Sequence, residues 1–357
     1  MNTTLGLSEL NLRVGQLFMV GIPGTSLDED TEALIRDYNL CGVILFARNI
    51  EDPLQLARLC RDLQDAAIKY HGLPLFLAVD QEGGRVARLR EPFTSFPGNE
   101  AIGMDDNPIE KAVEFGMITA REMKMVGLNM DLAPVVDVRR GEPEKHLKGR
   151  TFSDNCESVA LLGRCVIRAL QENGVMAVAK HFPGLGRARI DPHYNLPRIE
   201  VDTEEMEKVN IPPFKAAIEE GVSGIMTSHA LYPALDSEQP ATLSFAILTT
   251  LLREKMGFDG LIMTDDLEMG AIAEGWGVAE GALASFEAGA DILLICEDQK
   301  NVLGGLTLMR NKLLKDEIPK KRLVISNERI IKVRTRLLES MEDISLADVK
   351  RYFKISA

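Results

Sequence analysis

Residues 74–80 read "PLFLAVD": six residues without a charge, closed by a carboxylate. A strand with one face in water alternates apolar and polar residues. This run does not, so it suits a strand covered on both faces, as in a parallel sheet packed against helices. The same pattern recurs in "GQLFMVGI" (15–22), "GVILFA" (42–47), "MDLAPVVDV" (130–138), "VMAVAKH" (175–181), "GIMTSHA" (224–230), "GLIMTDD" (260–266) and "ADILLIC" (290–296). Amphipathic spacing between them predicts helices near 28–39, 52–70, 108–126, 155–173, 205–220, 244–256, 277–288 and 298–315, with a last helix near 326–341.

Eight strand–helix units are the number that closes a (β/α)8 barrel, and 357 residues suit one such barrel with extended loops. The expected organisation is therefore a single α/β barrel over residues 1–357. The rival is a doubly wound open sheet, which would carry a glycine-rich dinucleotide loop after its first strand. "GIPGTSLDED" (21–30) is too acidic and wrongly spaced for that. No Pro/Gly/Ser-rich linker or short repeat divides the chain into two α/β domains.

Net charge is −13 and no basic stripe interrupts it, which argues against a nucleic-acid partner. No apolar run approaches a membrane span, and the first residues lack the pattern of a signal peptide. The five cysteines are scattered without a CxxC pair, which fits free thiols in a reducing compartment. Together these features lead us to expect a cytoplasmic protein. HExxH and HxH spacings are absent, so no metal site is expected.

The charges gather at one end of the strands. The third strand ends at Asp80, the fourth carries Asp131 and Asp137, and the fifth ends in Lys180-His181. The sixth carries Ser228-His229, and the seventh ends in Thr264-Asp265-Asp266. In a barrel these ends ring one mouth, where active sites are built. Each residue also has a plainer reading. Asp80 suits a turn cap, Lys180 an ion pair with a neighbouring strand end, and His229 a supporting hydrogen bond. Glu82, Asp131 and Asp137 suit structural partners, and Asp266 and Glu268 a solvated helix start.

Seven blocks, each at a strand end or in the loop after it, carry a resemblance: "VDQEGGRVARL" (79–89), "GLNMDLAPVVDV" (127–138), "GRTFSD" (149–154), "KHFPGLG" (180–186), "DPHYNLP" (191–197), "MTSHALYPALD" (226–236) and "MTDDLEMGAI" (263–272). In these the chain resembles glycoside hydrolase family 3, and within it the single-domain bacterial β-N-acetylglucosaminidases that recycle peptidoglycan. The resemblance implies a retaining hydrolase with no metal or organic cofactor. It acts on a GlcNAc-containing saccharide, either GlcNAc–anhydroMurNAc peptides or chito-oligosaccharides. It further implies Asp265 as nucleophile, His193 as acid/base with Asp191 beside it, and Asp80, Arg88, Arg150, Lys180 and His181 as sugar-holding residues. The chain departs from the family pattern at Leu185, where a second histidine is usual. It also departs at Arg187 and Ala188, and at Pro192, where serine is usual.

Residues two apart on an extended segment face the same way, so Asp191 can hold one imidazole nitrogen of His193 and leave the other free. Gly184 and Gly186 read as hinges of a loop that opens and closes. Arg187 and Arg189 alternate in "GRARID". They read either as solvated charges or as a pair facing an anion on the leaving group. That charge keeps a phosphorylase open as an alternative activity, and a non-catalytic sugar-binding barrel is a second alternative. Oligomeric state is not legible in the sequence.

Overall fold

The computed structural model describes residues 7–142 and 145–355. Eight strands pair in chain order and close on themselves. They are β1 (Phe18–Gly21), β2 (Gly42–Ile44), β3 (Phe76–Val79), β4 (Met130–Asp131), β5 (Met176–Phe182), β6 (Gly224–Thr227), β7 (Leu261–Asp266) and β8 (Ile292–Ile295). Every neighbouring pair is parallel, including the closing pair β8–β1. Helices cover the outside, so both faces of each strand are buried and the strands need no alternation. The architecture is the expected (β/α)8 barrel.

Helix boundaries follow local chemistry. Asp52 caps helix Pro53–His71 by accepting from the Leu54 and Gln55 N–H groups, and Gly72 ends it in the left-handed conformation at φ 69°. Asn155 caps helix Cys156–Glu172 through the Ser158 N–H.

Most strands are shorter than expected, the second pairing only over Gly42–Ile44 of the run 42–47. A helix, Leu7–Gly15, takes the start of the run at 15–22. The fourth is paired regularly only at Met130–Asp131, because Pro134 has no N–H to continue the ladder. Its contact with β5 goes on irregularly, with the Val178 N–H on the Ala133 carbonyl (2.9 Å) and the Val136 N–H on the Lys180 carbonyl (2.8 Å).

The foot of the barrel is covered by helix Lys320–Ser340, which begins six residues before the expected start near 326 and is not the last helix, because Leu346–Tyr352 follows it. Its Arg334 is fully buried and donates to the Pro74 and Leu73 carbonyls and to Asn39. Buried Asp291, at the foot of β8, accepts from Ser326 of the same helix (2.6 Å) and pairs with Arg253. Among the described residues no helix is long and apolar enough to cross a membrane. All five cysteines are free.

Two irregularities matter more than the regular sheet. Against β6, β5 advances three residues from Ala179 to Phe182 while its partner advances two, from Ile225 to Thr227. Against β8, β7 advances three from Met263 to Asp266 while its partner advances two, from Ile292 to Leu294. Each strand thus carries one extra residue, a β-bulge, which bends the strand and re-aims side chains. The bulges fall on Lys180-His181 and Thr264-Asp265. At the second, the Leu294 N–H is met by the Thr264 hydroxyl (3.0 Å) instead of a backbone carbonyl.

Candidate active site

The barrel mouth contains a buried ion network. After β3 the chain turns through a hairpin, Gln81–Gly83 with Val86–Ala87, which brings Arg88 back over Asp80 (Nη2 to Oδ2, 3.0 Å). Lys180 Nζ sits between two carboxylates, 2.7 Å from Asp80 Oδ1 and 2.6 Å from Glu82 Oε1. Arg150 forks onto Glu82 with two 2.8 Å hydrogen bonds, the bidentate geometry that guanidinium and carboxylate favour. Lys180 and Glu82 are 2% and 1% exposed, and Asp80 and Arg88 are 16% and 27%. The first pair is therefore floor, and the second faces the opening.

Burial pushes both carboxyls up, but the cations outweigh it. Lys180 and Arg88 hold Asp80 well below the usual carboxylate range, and Arg150 with Lys180 holds Glu82 at about 2. Burial likewise opposes the charge on Lys180, and Asp80 and Glu82 overcome it.

Replacing one partner of such a network leaves buried charge unpaired. Lys180→Met is expected to cost about 3–5 kcal/mol of folding stability, measured by urea denaturation. The carboxyls' folded-state pKa values lie below their unfolded ones. Their stabilisation is therefore present above the unfolded value and lost as pH falls; for Glu82 the window runs from 4.5 to about 2. The stability gap between wild type and Lys180→Met should close across that window. A gap that stays constant there contradicts the network.

Asp137 organises the neighbouring corner. Its Oδ2 accepts from His181 Nδ1 (2.8 Å), and its Oδ1 accepts the Leu185 N–H (2.6 Å). With its proton on Nδ1, His181 presents Nε2 to Arg150 Nη2 at 3.5 Å. Asp131 behaves differently. Burial pushes its carboxyl well above the ordinary value, and its Oδ2 is buried without a hydrogen-bond partner among the described residues. Its Oδ1 accepts the Gln81 N–H (3.0 Å), so it props the start of the hairpin.

On the other side of the mouth stand Asp265, Asp266 and His229. The Asp265 side chain is half-exposed, and its Oδ1 accepts the Asp266 N–H (2.9 Å). Asp266 is half-buried as well, and burial pushes its carboxyl up to about 7. His229 Nε2 lies 2.9 Å from the Asp266 carbonyl, which can only accept, so Nε2 carries the proton. Nδ1 lies 2.7 Å from the Thr242 hydroxyl, which also reaches the Ser228 carbonyl (3.0 Å). Burial lowers the His229 pKa against the opposing charge of Asp265. His229 thus supports the backbone that carries the two aspartates. Glu268 is not a solvated helix start: its carboxylate gathers the N–H groups of Cys296, Glu297 and Asp298 and the Asn301 amide.

The loop after β5 carries Asp191 and His193. One carboxylate oxygen of Asp191 accepts both the His193 backbone N–H (3.0 Å) and its ring Nδ1–H (2.6 Å). Burial raises the Asp191 carboxyl, but these His193 hydrogen bonds win and lower it. The ring is 58% exposed, with Nε2 left available.

Gly184 and Gly186, read as hinges, are both closely packed in this structure. The Gly184 carbonyl is held by the Tyr232 hydroxyl (3.0 Å) and the Asn210 amide (3.2 Å). Gly186 lies so close to the Val138 carbonyl that a Cβ would fall 1.9 Å from its oxygen. The glycines serve close packing, and the exposed segment starts only at Arg189. Leu185 and Ala188 are buried in the core. Arg187 forks onto Glu205, whereas Arg189 is exposed. The two arginines therefore do not act as one pair.

The mouth thus offers a half-exposed carboxylate on a bulged strand, a carboxylate-held imidazole on a loop, and a floor of fixed charges. The two halves meet through the main chain: the Gly270 N–H donates to the His193 carbonyl (3.0 Å), and the Met269 N–H ties the same turn to the Asp266 carbonyl (3.1 Å). The partners that sequence reasoning missed are Thr242, Asn210, Tyr232 and Glu205. All are neutral or surface-like in local pattern, and each becomes a partner only through the fold.

Residues 9–333 match the model of the glycosyl hydrolase family 3 N-terminal domain. A β-hexosaminidase A of Pseudoalteromonas piscicida is 34% identical over 347 residues, which are 91% of this chain; the chain spans 58% of that protein's length. The structure of a glycoside hydrolase family 3 β-N-acetylglucosaminidase from Paenibacillus sp. superposes with a TM-score of 0.90 at 34% identity, covering 97% of this chain and 67% of its own. The structure of a β-N-acetylhexosaminidase from Beutenbergia cavernae superposes with a TM-score of 0.85 at 30% identity, covering 94% of this chain and 100% of its own. With a family match over nine-tenths of its length and a relative this similar across most of it, the chain belongs to glycosyl hydrolase family 3.

Proposed function

We propose that the protein is a retaining β-N-acetylglucosaminidase that removes non-reducing terminal GlcNAc. Asp265 attacks the anomeric carbon while protonated His193 gives its Nε2 proton to the departing glycosidic oxygen. A covalent glycosyl-enzyme forms and the aglycone leaves. Neutral His193 then takes a proton from water, which attacks the same carbon. The sugar leaves with its β configuration, and the Asp265 carboxylate is restored. Asp191 fixes the imidazole tautomer so that Nε2, not Nδ1, faces the leaving group. Asp80 and Arg88, at the open side of the ion network, take the sugar hydroxyls. Lys180, His181 and Arg150 hold them in place from below.

The observation that carries this reading is the Asp191–His193 pair on a loop hydrogen-bonded to the turn that follows Asp265, in a chain whose relatives are named β-hexosaminidases. Muropeptides or chito-oligosaccharides in the cytoplasm are the substrates proposed. Phosphorolysis loses part of its support, because the charge of Arg187 is compensated by Glu205.

The test is turnover of an aryl N-acetyl-β-glucosaminide with and without inorganic phosphate, following the first-formed product by NMR. The expected product is β-GlcNAc in both conditions. A sugar 1-phosphate formed in phosphate would move the protein to the phosphorylases. Binding of GlcNAc without turnover would make it a sugar-binding barrel.

A further inference from the structure

The loop that carries His193 is joined by main-chain hydrogen bonds to the turn that follows Asp265. The Gly270 N–H donates to the His193 carbonyl (3.0 Å), and the Ala271 N–H donates to the Pro192 carbonyl (3.1 Å). These N–H groups open the short helix Gly270–Ala273, so they have no partner inside it and are free for the loop. The same turn is tied back to the end of β7 by the Met269 N–H on the Asp266 carbonyl (3.1 Å). A continuous backbone path therefore runs from Asp265–Asp266 through Met269–Gly270 to His193.

The residue at the junction is a glycine for steric reasons. A Cβ on Gly270 would fall 2.8 Å from the Tyr194 carbonyl oxygen, 2.9 Å from the His193 carbonyl oxygen and 3.0 Å from the Tyr194 carbonyl carbon. All three are backbone atoms, so no side chain can swing away to make room, and the loop itself must lift. The loop's other ends are fixed elsewhere. Gly184 and Gly186 are clamped as described, and the Pro197 carbonyl accepts the Leu231 N–H (2.9 Å). Between these anchors lies the segment with Asp191 and His193, and Gly270–Ala271 is what it rests on.

We infer that Gly270 is a positioning residue for the reaction: its bare Cα lets the acid/base loop seat directly on the nucleophile's own turn, which sets His193 at a fixed place relative to Asp265. The inference rests on the acid/base reading of His193 given above. A lifted loop leaves Asp265 and the sugar floor untouched and misplaces only the proton donor. A misplacement of about 1 Å can cost roughly a hundredfold in rate.

The experiment is kcat/KM across a series of aryl N-acetyl-β-glucosaminides of rising leaving-group pKa. The variants are Gly270→Ala, His193→Ala and the double variant, with thermal melts alongside. Gly270→Ala is expected to lose about ten- to a hundredfold on the poorest leaving groups and little on the best, giving a steeper slope than wild type. In the His193→Ala background it should cost nothing further, because it acts through that residue. Ala271→Pro, which removes the N–H to Pro192 and suits the first turn of a helix, should reproduce the slope. It decides the matter if Gly270→Ala melts early.

Parallel loss across the series, no loss, or an equal loss in the His193→Ala background overturns the seat. If His193→Ala itself leaves the slope at the wild-type value, the acid/base assignment has failed instead, and that result is read independently of Gly270.

Discussion

Asp265→Ala folds normally and loses activity on the order of 10⁴-fold, the scale expected when a covalent nucleophile is removed. The reason is chemical. Only a carboxylate at that place can form the glycosyl-enzyme, and water reaching the same face would have to act unassisted. Stability should be nearly unchanged, because Asp265 is half-exposed and the hydrogen bond its side chain accepts comes from its own neighbour, Asp266. Asp266→Asn is the control. Burial raises its carboxyl to about 7, and its side chain is engaged in accepting the Glu268 N–H (3.1 Å). Asparagine keeps that acceptor, so activity should stay within about tenfold of wild type. Steady-state kinetics and a thermal melt on each variant check both outcomes. Equal losses in the two would remove the distinction between them.

His193→Ala should produce the second-largest effect, and its size should depend on the substrate. General acid catalysis contributes about 10²–10⁴-fold where the leaving group needs a proton. A GlcNAc disaccharide should therefore lose kcat/KM on that scale, while an activated aryl glycoside, whose phenolate leaves unaided, should lose little. Asp191→Asn should give a milder version of the same selectivity. The amide can still accept from Nδ1 but no longer presents the negative charge that steadies the imidazolium. Equal losses on disaccharide and aryl glycoside would take His193 out of the proton path.

The barrel was readable because buried parallel strands leave a plain mark. "PLFLAVD" and its seven counterparts cannot alternate when both faces are covered. The mouth was readable because charge at the end of such a strand is expensive unless it has a task. What was not readable depends on neighbours across the sheet. The bulges at Lys180-His181 and Thr264-Asp265 exist only as a count of one strand against another, so no pattern within one strand records them. The glycines of "PGLG" looked like freedom of motion. The Tyr232 hydroxyl, the Asn210 amide and the Val138 carbonyl turn them into close-packing residues. Arg187 looked like a partner for an outside anion, but Glu205, eighteen residues on, takes it. Helix Leu7–Gly15 is hard to see in the sequence because only Gln16 and Leu17 separate it from the first strand, and Gly15 continues the apolar run.

The assignment of Asp265 is tested most directly by trapping the intermediate. A 5-fluoro analogue of an activated GlcNAc donor slows both steps through the oxocarbenium-like state, and a reactive leaving group lets the first step outrun the second, so the glycosyl-enzyme accumulates. After proteolysis and mass spectrometry, one added N-acetyl-fluoroglucosaminyl group is expected, on the peptide containing Asp265, with fragmentation placing it on that carboxylate. An adduct on Asp266 or Glu268, or full turnover with no adduct on any carboxylate, would contradict the mechanism proposed.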